Sequence, residues 1–136
     1  PTEVELSVSA RRVQTFFRNA VLVAYNKRCA LTGLAIPGLL NASHIIPWSI
    51  DATRRADPRN GLCLNAFHDR AFDRGFITFD KQLRTVVSTD VQSFDEDESI
   101  GARFLTNMIG KPLSRPYRFD PDEEALEFHR TSIFRG

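Results

Sequence analysis

Cysteine is nearly absent from this 136-residue chain, and its two cysteines, Cys29 and Cys63, form no Cys-x-x-Cys pair. That count excludes a disulfide framework and a four-cysteine zinc site. Both are read as small buried apolar side chains in a reduced state, since nothing near either marks an activated thiol. No apolar run reaches the roughly 18–20 residues that a membrane-spanning helix needs, so no membrane partner is predicted. Pro1-Thr2-Glu3-Val4 has neither the basic nor the apolar region of a secretory leader, and a cytoplasmic location is the expectation. The chain also lacks an initiator Met, which leads us to expect a piece of a longer protein. No sign of charge dominates: 18 Lys+Arg against 17 Asp+Glu leave +1, which argues neither for nor against a nucleic-acid partner.

The distribution of charge says more. Arg11, Arg12, Arg18, Lys27 and Arg28 come early, Arg54, Arg55, Arg59, Arg70 and Arg74 flank the middle, and acids gather at 95–98 and 120–124. Such asymmetry permits one basic face for phosphate contact, and it equally permits two solvated faces. With 42% hydrophobic residues and 11 Phe, the chain has ample material for one core, and a single domain over 1–136 is expected.

Periodicity places the elements. Val13, Phe16, Phe17, Ala20, Val21 and Ala24 recur at helical spacing, predicting an amphipathic helix from a Ser9 cap to about Asn26. Residues 39–46 read as a strand ended by Pro47, 50–59 as an exposed loop, and 61–64 as a second strand. Residues 65–73 read as a short helix closed by Gly75 in the left-handed conformation. A hairpin is predicted from 76–79 and 83–88 around Asp80-Lys81-Gln82. The acidic run at 95–98 is expected to lead into a helix through Met108, stopped by Gly110 and Pro112. Asp120-Pro121-Asp122-Glu123 reads as the start of a last helix to about Phe134, capped by Asp120.

Three stretches then stand together: Asn41-Ala42-Ser43-His44-Ile45-Ile46-Pro47-Trp48, Asn60-Gly61-Leu62, and Phe67-His68-Asp69-Arg70-Ala71-Phe72-Asp73-Arg74-Gly75. The order is a strand with His, a loop with Asn, and a helix with His. Cutting a phosphodiester needs a base to deprotonate water, and charge to neutralise the transition state and leaving oxygen. An imidazole titrates near neutrality and suits the first task. A second imidazole on a facing helix can hold a divalent ion, and an Asn can fix the intervening loop through its backbone.

Residues 10–80 resemble the HNH endonuclease superfamily, in particular its branch of predicted restriction endonucleases. The resemblance rests on the three stretches above together with Tyr25-Asn26-Lys27-Arg28-Cys29-Ala30-Leu31-Thr32-Gly33. It implies an α+β fold: a ββα-metal core at about 28–80 with an amino-terminal helix, a following β-hairpin and carboxy-terminal helices. It implies a DNA endonuclease of a restriction or defence system, with His44 as general base, Asn60 as the supporting Asn and His68 as metal ligand. Mg2+, Mn2+ or another divalent ion is the implied cofactor, with products ending in 5′-phosphate and 3′-hydroxyl. Many members place Asp or His just before the base, as the second ligand. Here Ser43 stands there, a poorer donor than carboxylate, so Asn41, Asp69, Asp73 or water can supply the missing oxygen. Many members also carry two Cys-x-x-Cys pairs on a structural zinc. Cys29 with Thr32 looks like one decayed knuckle, and no structural zinc is expected.

Arg54, Arg55 and Arg59 lie on the loop leading to this site and are candidates for gripping phosphate, although ordinary solvated arginines fit almost as well. Trp48 is read as packing and His129 as a polar residue on the last helix. Base selection is expected in a specificity domain of the full-length chain, because contacts to the nucleic-acid backbone carry no sequence information. A homodimer would make double-strand cutting natural. Two rival readings stay open: a nuclease acting on RNA or single strands, and a non-catalytic nucleic-acid-binding module retaining the fold.

Overall fold

The computed structural model describes residues 1–94 and 100–136, so the acidic run at 95–98 lies outside the described residues. The chain opens with α1 (Glu3–Ala24), seven residues earlier than apolar periodicity predicts. The cap is Thr2 rather than Ser9. Its side chain accepts from the Glu5 amide at 3.1 Å while the Glu5 carboxylate accepts from the Thr2 amide at 2.9 Å, a reciprocal capping box. The first three turns carry almost no buried side chain, so nothing periodic announced them. Only the second half of α1 packs, through Phe17, Val21, Leu22 and Ala24.

After α1, Asn26 and Lys27 take left-handed backbone angles, φ +55° and +52°, and turn the chain into a knuckle around Cys29. Strand β1 (Leu40–His44) pairs antiparallel with β2 (Gly61–Asn65), with Ser43 opposite Leu62 and His44 opposite Gly61. Helix α2 (Ala66–Asp73) follows directly, capped by the Asn65 side chain on the His68 amide. Two 3-10 turns, Ala52–Arg54 and Pro58–Asn60, lie along the segment read from sequence as an exposed loop.

Gly75 ends α2 with φ +79°, the left-handed position that glycine alone adopts without strain. A Cβ there would collide with the carbonyl oxygen of Ile133. Strands β3 (Ile77–Phe79) and β4 (Thr85–Val87) form the hairpin; β3 ends where predicted but starts one residue later, and β4 starts two residues later and ends one earlier. Asp80 Oδ1 accepts from the amides of Gln82 and Arg84 in its turn. Short helices α3 (Asp90–Phe94) and α4 (Ile100–Thr106) follow, the latter stopping before Met108.

The last helix, α5 (Glu123–Phe128), begins two residues later than the Asp-Pro signal suggested, with Asp122 and not Asp120 at its cap position. Asp122 is drawn elsewhere: its carboxylate pairs with Arg54. From His129 to Ile133 the helix widens into a π turn, so α-helical structure stops short of Phe134. The core joins Phe17 and Val21 of α1 to Leu62 and Leu64 of β2, Phe72 of α2, Phe79 of β3 and Leu126 of α5. Apolar burial on all these elements makes an α+β fold, with two antiparallel hairpins and helices around them. Among the described residues no helix is long and apolar enough to cross a membrane.

Candidate active site

His44 ends β1, and its ring is gripped from three sides. The phenyl ring of Phe17 lies parallel to the imidazole, with centroids 3.7 Å apart and planes 10° off parallel. Trp48 meets it edge-on at 5.7 Å. The third contact is polar: Nε2 lies 3.0 Å from the backbone carbonyl of Arg55. A carbonyl only accepts, so Nε2 carries the proton and the neutral ring keeps its lone pair on Nδ1. Burial pushes the His44 pKa below the ordinary 6.5, and the Arg55 cation acts in the same direction. The Arg55 carbonyl and the Asp69 carboxylate oppose them.

Asn60, fully buried, fixes the loop that follows the histidine. Its Oδ1 accepts from the Ile46 amide at 2.9 Å, its Nδ2 donates to the Ile46 carbonyl at 3.1 Å, and its own carbonyl accepts from the Ile45 amide at 2.9 Å. Both backbone groups of Ile46 are thereby paired away from water, as buried amides must be. Next in the chain, Gly61 at the start of β2 leaves room for α1: a Cβ there would collide with Phe17 and Val21.

A cleft of about 320 Å³ opens beside His44, lined by Gln14, Phe17 and Arg18 of α1, Asn41 and Ala42 of β1, and Asp69 of α2. Asn41 Nδ2 donates to Asp69 Oδ2 at 2.8 Å, which leaves the Asn41 carbonyl oxygen and the second carboxylate oxygen for other partners. Arg18 is tied down at the edge by the carbonyls of Leu40 at 2.7 Å and Pro37 at 3.1 Å. Its charge stays in the cleft wall.

His68 does not line this cleft. It is buried with both ring nitrogens engaged: Nδ1 accepts from Asn65 Nδ2 at 2.8 Å, and Nε2 donates to the Phe104 carbonyl at 3.2 Å. Burial lowers its pKa below 6.5. It belongs instead to the knuckle, where Cys29 Sγ accepts from the amides of Thr32 and Asn65 and from Asn65 Nδ2 at 3.3–3.4 Å. Burial alone would raise the Cys29 thiol, but these donors outweigh it and bring it down. The α2 residue facing His44 is therefore Asp69, one position further on. Ser43 is buried and Asp73 stands exposed at the end of α2; neither lines the cleft.

The three arginines of the loop are placed differently from one another. Arg54 is bound to Asp51 at 3.2 Å, to Asp122 and to Glu124 at 3.5 Å, and so ties the loop to the start of α5. Arg55 donates from Nε to the Trp48 carbonyl at 2.8 Å, with its guanidinium 4.7 Å above the indole, so it frames His44 from outside. Arg59 is exposed. His129, read from sequence as a polar residue on a helix face, is a core group: it stacks on Phe72 at 3.8 Å, donates to the Phe72 carbonyl at 2.8 Å and accepts from the Thr78 hydroxyl at 2.7 Å.

Residues 29–80 match the family model for HNH endonucleases. The likeness is to HNH endonucleases, and it takes in β1, β2, α2 and β3. A solved structure described as a modification dependent TagI restriction endonuclease superposes on 86% of this chain with a TM-score of 0.60 and 19% identity. At that identity the likeness shows the fold, and this chain spans 37% of the length of that one. No curated protein matches the sequence significantly. The HNH match ends at residue 29 on its amino-terminal side, so α1, which supplies Phe17 and one wall of the cleft, lies outside it.

Proposed function

We propose that this domain is a metal-dependent DNA endonuclease in which His44 takes the proton from the water that attacks a phosphodiester. The observation that carries this reading is the bond from Nε2 to the Arg55 carbonyl, which leaves Nδ1 as the basic nitrogen beside a cleft that also holds Asp69. A lowered pKa keeps that nitrogen unprotonated at neutral pH, the state a general base needs. The Phe17 stack, the Arg55 carbonyl and the Asn60 clamp on Ile46 hold the ring in place, and little reorganisation is left for the reaction.

A divalent ion such as Mg2+ or Mn2+, when bound, supplies the charge that stabilises the transition state and leaving oxygen. The donors that fit it are Asp69 and the Asn41 amide oxygen. Among the described residues no three His, Cys, Asp or Glu side chains converge as a metal cage. Magnesium is commonly held by one or two carboxylates with substrate phosphate and water completing the shell, so a sparse oxygen pair suits it better than zinc. His68, by contrast, offers no unshared ring nitrogen. Arg18 adds a fixed cation at the edge of the cleft for the scissile phosphate.

The restriction-enzyme neighbour, of which this chain spans 37%, favours a restriction or defence role with base selection performed by another part of a longer protein. The sparse donor set favours the rival reading, a nucleic-acid-binding module that no longer cuts. One experiment separates these. Supercoiled plasmid and a structured RNA are incubated with the protein in Mg2+, Mn2+ or EDTA. Nicking of DNA in either metal, and none in EDTA, supports the endonuclease. Retention of DNA without cutting in any metal points to the binding module, and cutting of RNA alone reassigns the substrate.

A further inference from the structure

A second cavity lies on a different face of α2 from the catalytic cleft. Phe67, Arg70 and Arg74 stand on that face with Ala71 between them, at the i, i+3, i+4, i+7 spacing of one helical stripe. Phe76, Phe94 and Arg135 line the other sides, and the space, open to solvent, is about 730 Å³. That volume falls within the range of small-ligand sites, roughly 300–1,000 Å³. The walls are apolar and aromatic, with cations at the rim. Arg135 lies 4.7 Å above the Phe76 ring and 5.6 Å from that of Phe94, while its Nε pairs with Asp90 at 3.0 Å. Asp90 thus has its charge met by Arg135, and Arg70 and Arg74 are exposed at the mouth.

We infer that this cavity is a nucleotide-binding pocket, taking a nucleobase against Phe67 and Phe76 and its phosphate on Arg70 and Arg74. An apolar aromatic floor beneath guanidinium groups matches a ligand that is a flat ring at one end and a dianion at the other. Neither half alone explains the site: a bare anion has no use for the phenyl walls, and an apolar ligand none for the arginines. The same chemistry is offered by a free mononucleotide or by a single-stranded nucleotide of a longer strand. Only the second of these ties the pocket to the nuclease reading.

The test is calorimetric titration of the full chain in EDTA, which keeps metal-bridged phosphate out of the catalytic cleft. The probes are thymidine 5′-monophosphate, thymidine, inorganic phosphate and a single-stranded thymidine tetranucleotide. The monophosphate is expected to bind, with thymidine and phosphate each roughly tenfold weaker or more. Arg70→Glu/Arg74→Glu, changed only at exposed side chains and checked by circular dichroism, is expected to weaken it by at least about tenfold. Asp69→Asn, on the cleft side, should leave it unchanged. Tighter binding of the tetranucleotide than of the monophosphate identifies a DNA strand as the source, and the reverse identifies a free nucleotide. Equal affinity in the charge-reversed variant, equal binding of phosphate and nucleotide, or no nucleotide binding overturns the pocket. Plasmid nicking is independent of each of these outcomes, so failure of the pocket and failure of the nuclease reading are told apart.

Discussion

Phe17 and His44 lie ring on ring, 3.7 Å apart and 10° from parallel, although one belongs to α1 and the other ends β1. If His44 is the base we propose, the HNH segment depends on α1 to hold it. Shortening the ring to Phe17→Leu keeps an apolar group under the imidazole but gives up the flat surface that sets its tilt. The expected result is a melting temperature lowered by a few degrees and a cleavage rate reduced on the order of ten- to a hundredfold, since small displacements of a catalytic group carry such penalties. Unchanged cleavage by a folded Phe17→Leu protein would reduce α1 to packing.

Activity should fall on the acid side only. The His44 pKa lies below 6.5, with burial as the largest cause, so the neutral ring that accepts a proton is the major form at pH 7. Single-turnover rates should be flat above neutrality and drop below pH 6.5 as the ring protonates. A profile still rising between pH 7 and 8 would place the titrating base elsewhere.

Stability has a separate pH dependence, owed to His129. Its stacked, doubly hydrogen-bonded ring has a pKa pushed down to about 4 by burial, against an unfolded value of 6.5. Between those values the unfolded chain binds a proton that the folded one refuses. Stability from this group is therefore fully present above pH 6.5 and is lost as pH falls toward 4. The loss is of order 3 kcal/mol. Denaturant titrations at pH 7.5 and 4.5 should differ in this sense, and His129→Phe, which lacks the titrating group, should flatten the difference.

Asn60→Ala strands both polar groups of Ile46 in a dry interior. The expected cost is about 2–4 kcal/mol in a urea titration, from buried groups left unpaired. Asn60→Asp should rescue little, because a carboxylate cannot donate to the Ile46 carbonyl. Recovery of full stability by Asp would contradict the two-point clamp.

Much of the fold could be read from the sequence, for physical reasons that vary by residue. Gly75 was legible because only glycine accepts φ +79° cheaply, and α2 because Asn65 caps it visibly. The first turns of α1 were not, because Val4, Leu6 and Val8 are exposed and show no buried stripe; the Thr2-x-x-Glu5 pattern was the available signal. The start of α5 was misplaced because Asp122 pairs with Arg54, a contact that only the assembled chain creates. The site was partly legible. His44 and Asn60 stand out by motif, but motif spacing does not say which of two adjacent helix residues faces the strand. A step from His68 to Asp69 is a rotation of roughly 100°, enough to exchange the knuckle for the cleft. Phe17 and Arg18 carried no chemical signature at all, since one was a core phenylalanine by its period and the other a basic residue on an outer face.

The same rotation gives a paired test of the metal. Asp69→Ala should raise the Mg2+ concentration needed for half-maximal cleavage by roughly tenfold or more, with a small change in melting temperature. His68→Ala removes a buried, hydrogen-bonded ring, so it should lower the melting temperature with less effect on the Mg2+ requirement. The opposite pattern would return the ion to His68.

The most direct test of the account is nicking of supercoiled plasmid by His44→Ala beside the unaltered protein, in Mg2+ and in EDTA, with DNA retention measured in parallel. The account predicts metal-dependent nicking by the unaltered protein and a loss of at least about a thousandfold in the variant, with retention intact. Equal nicking by the variant would contradict His44 as the base.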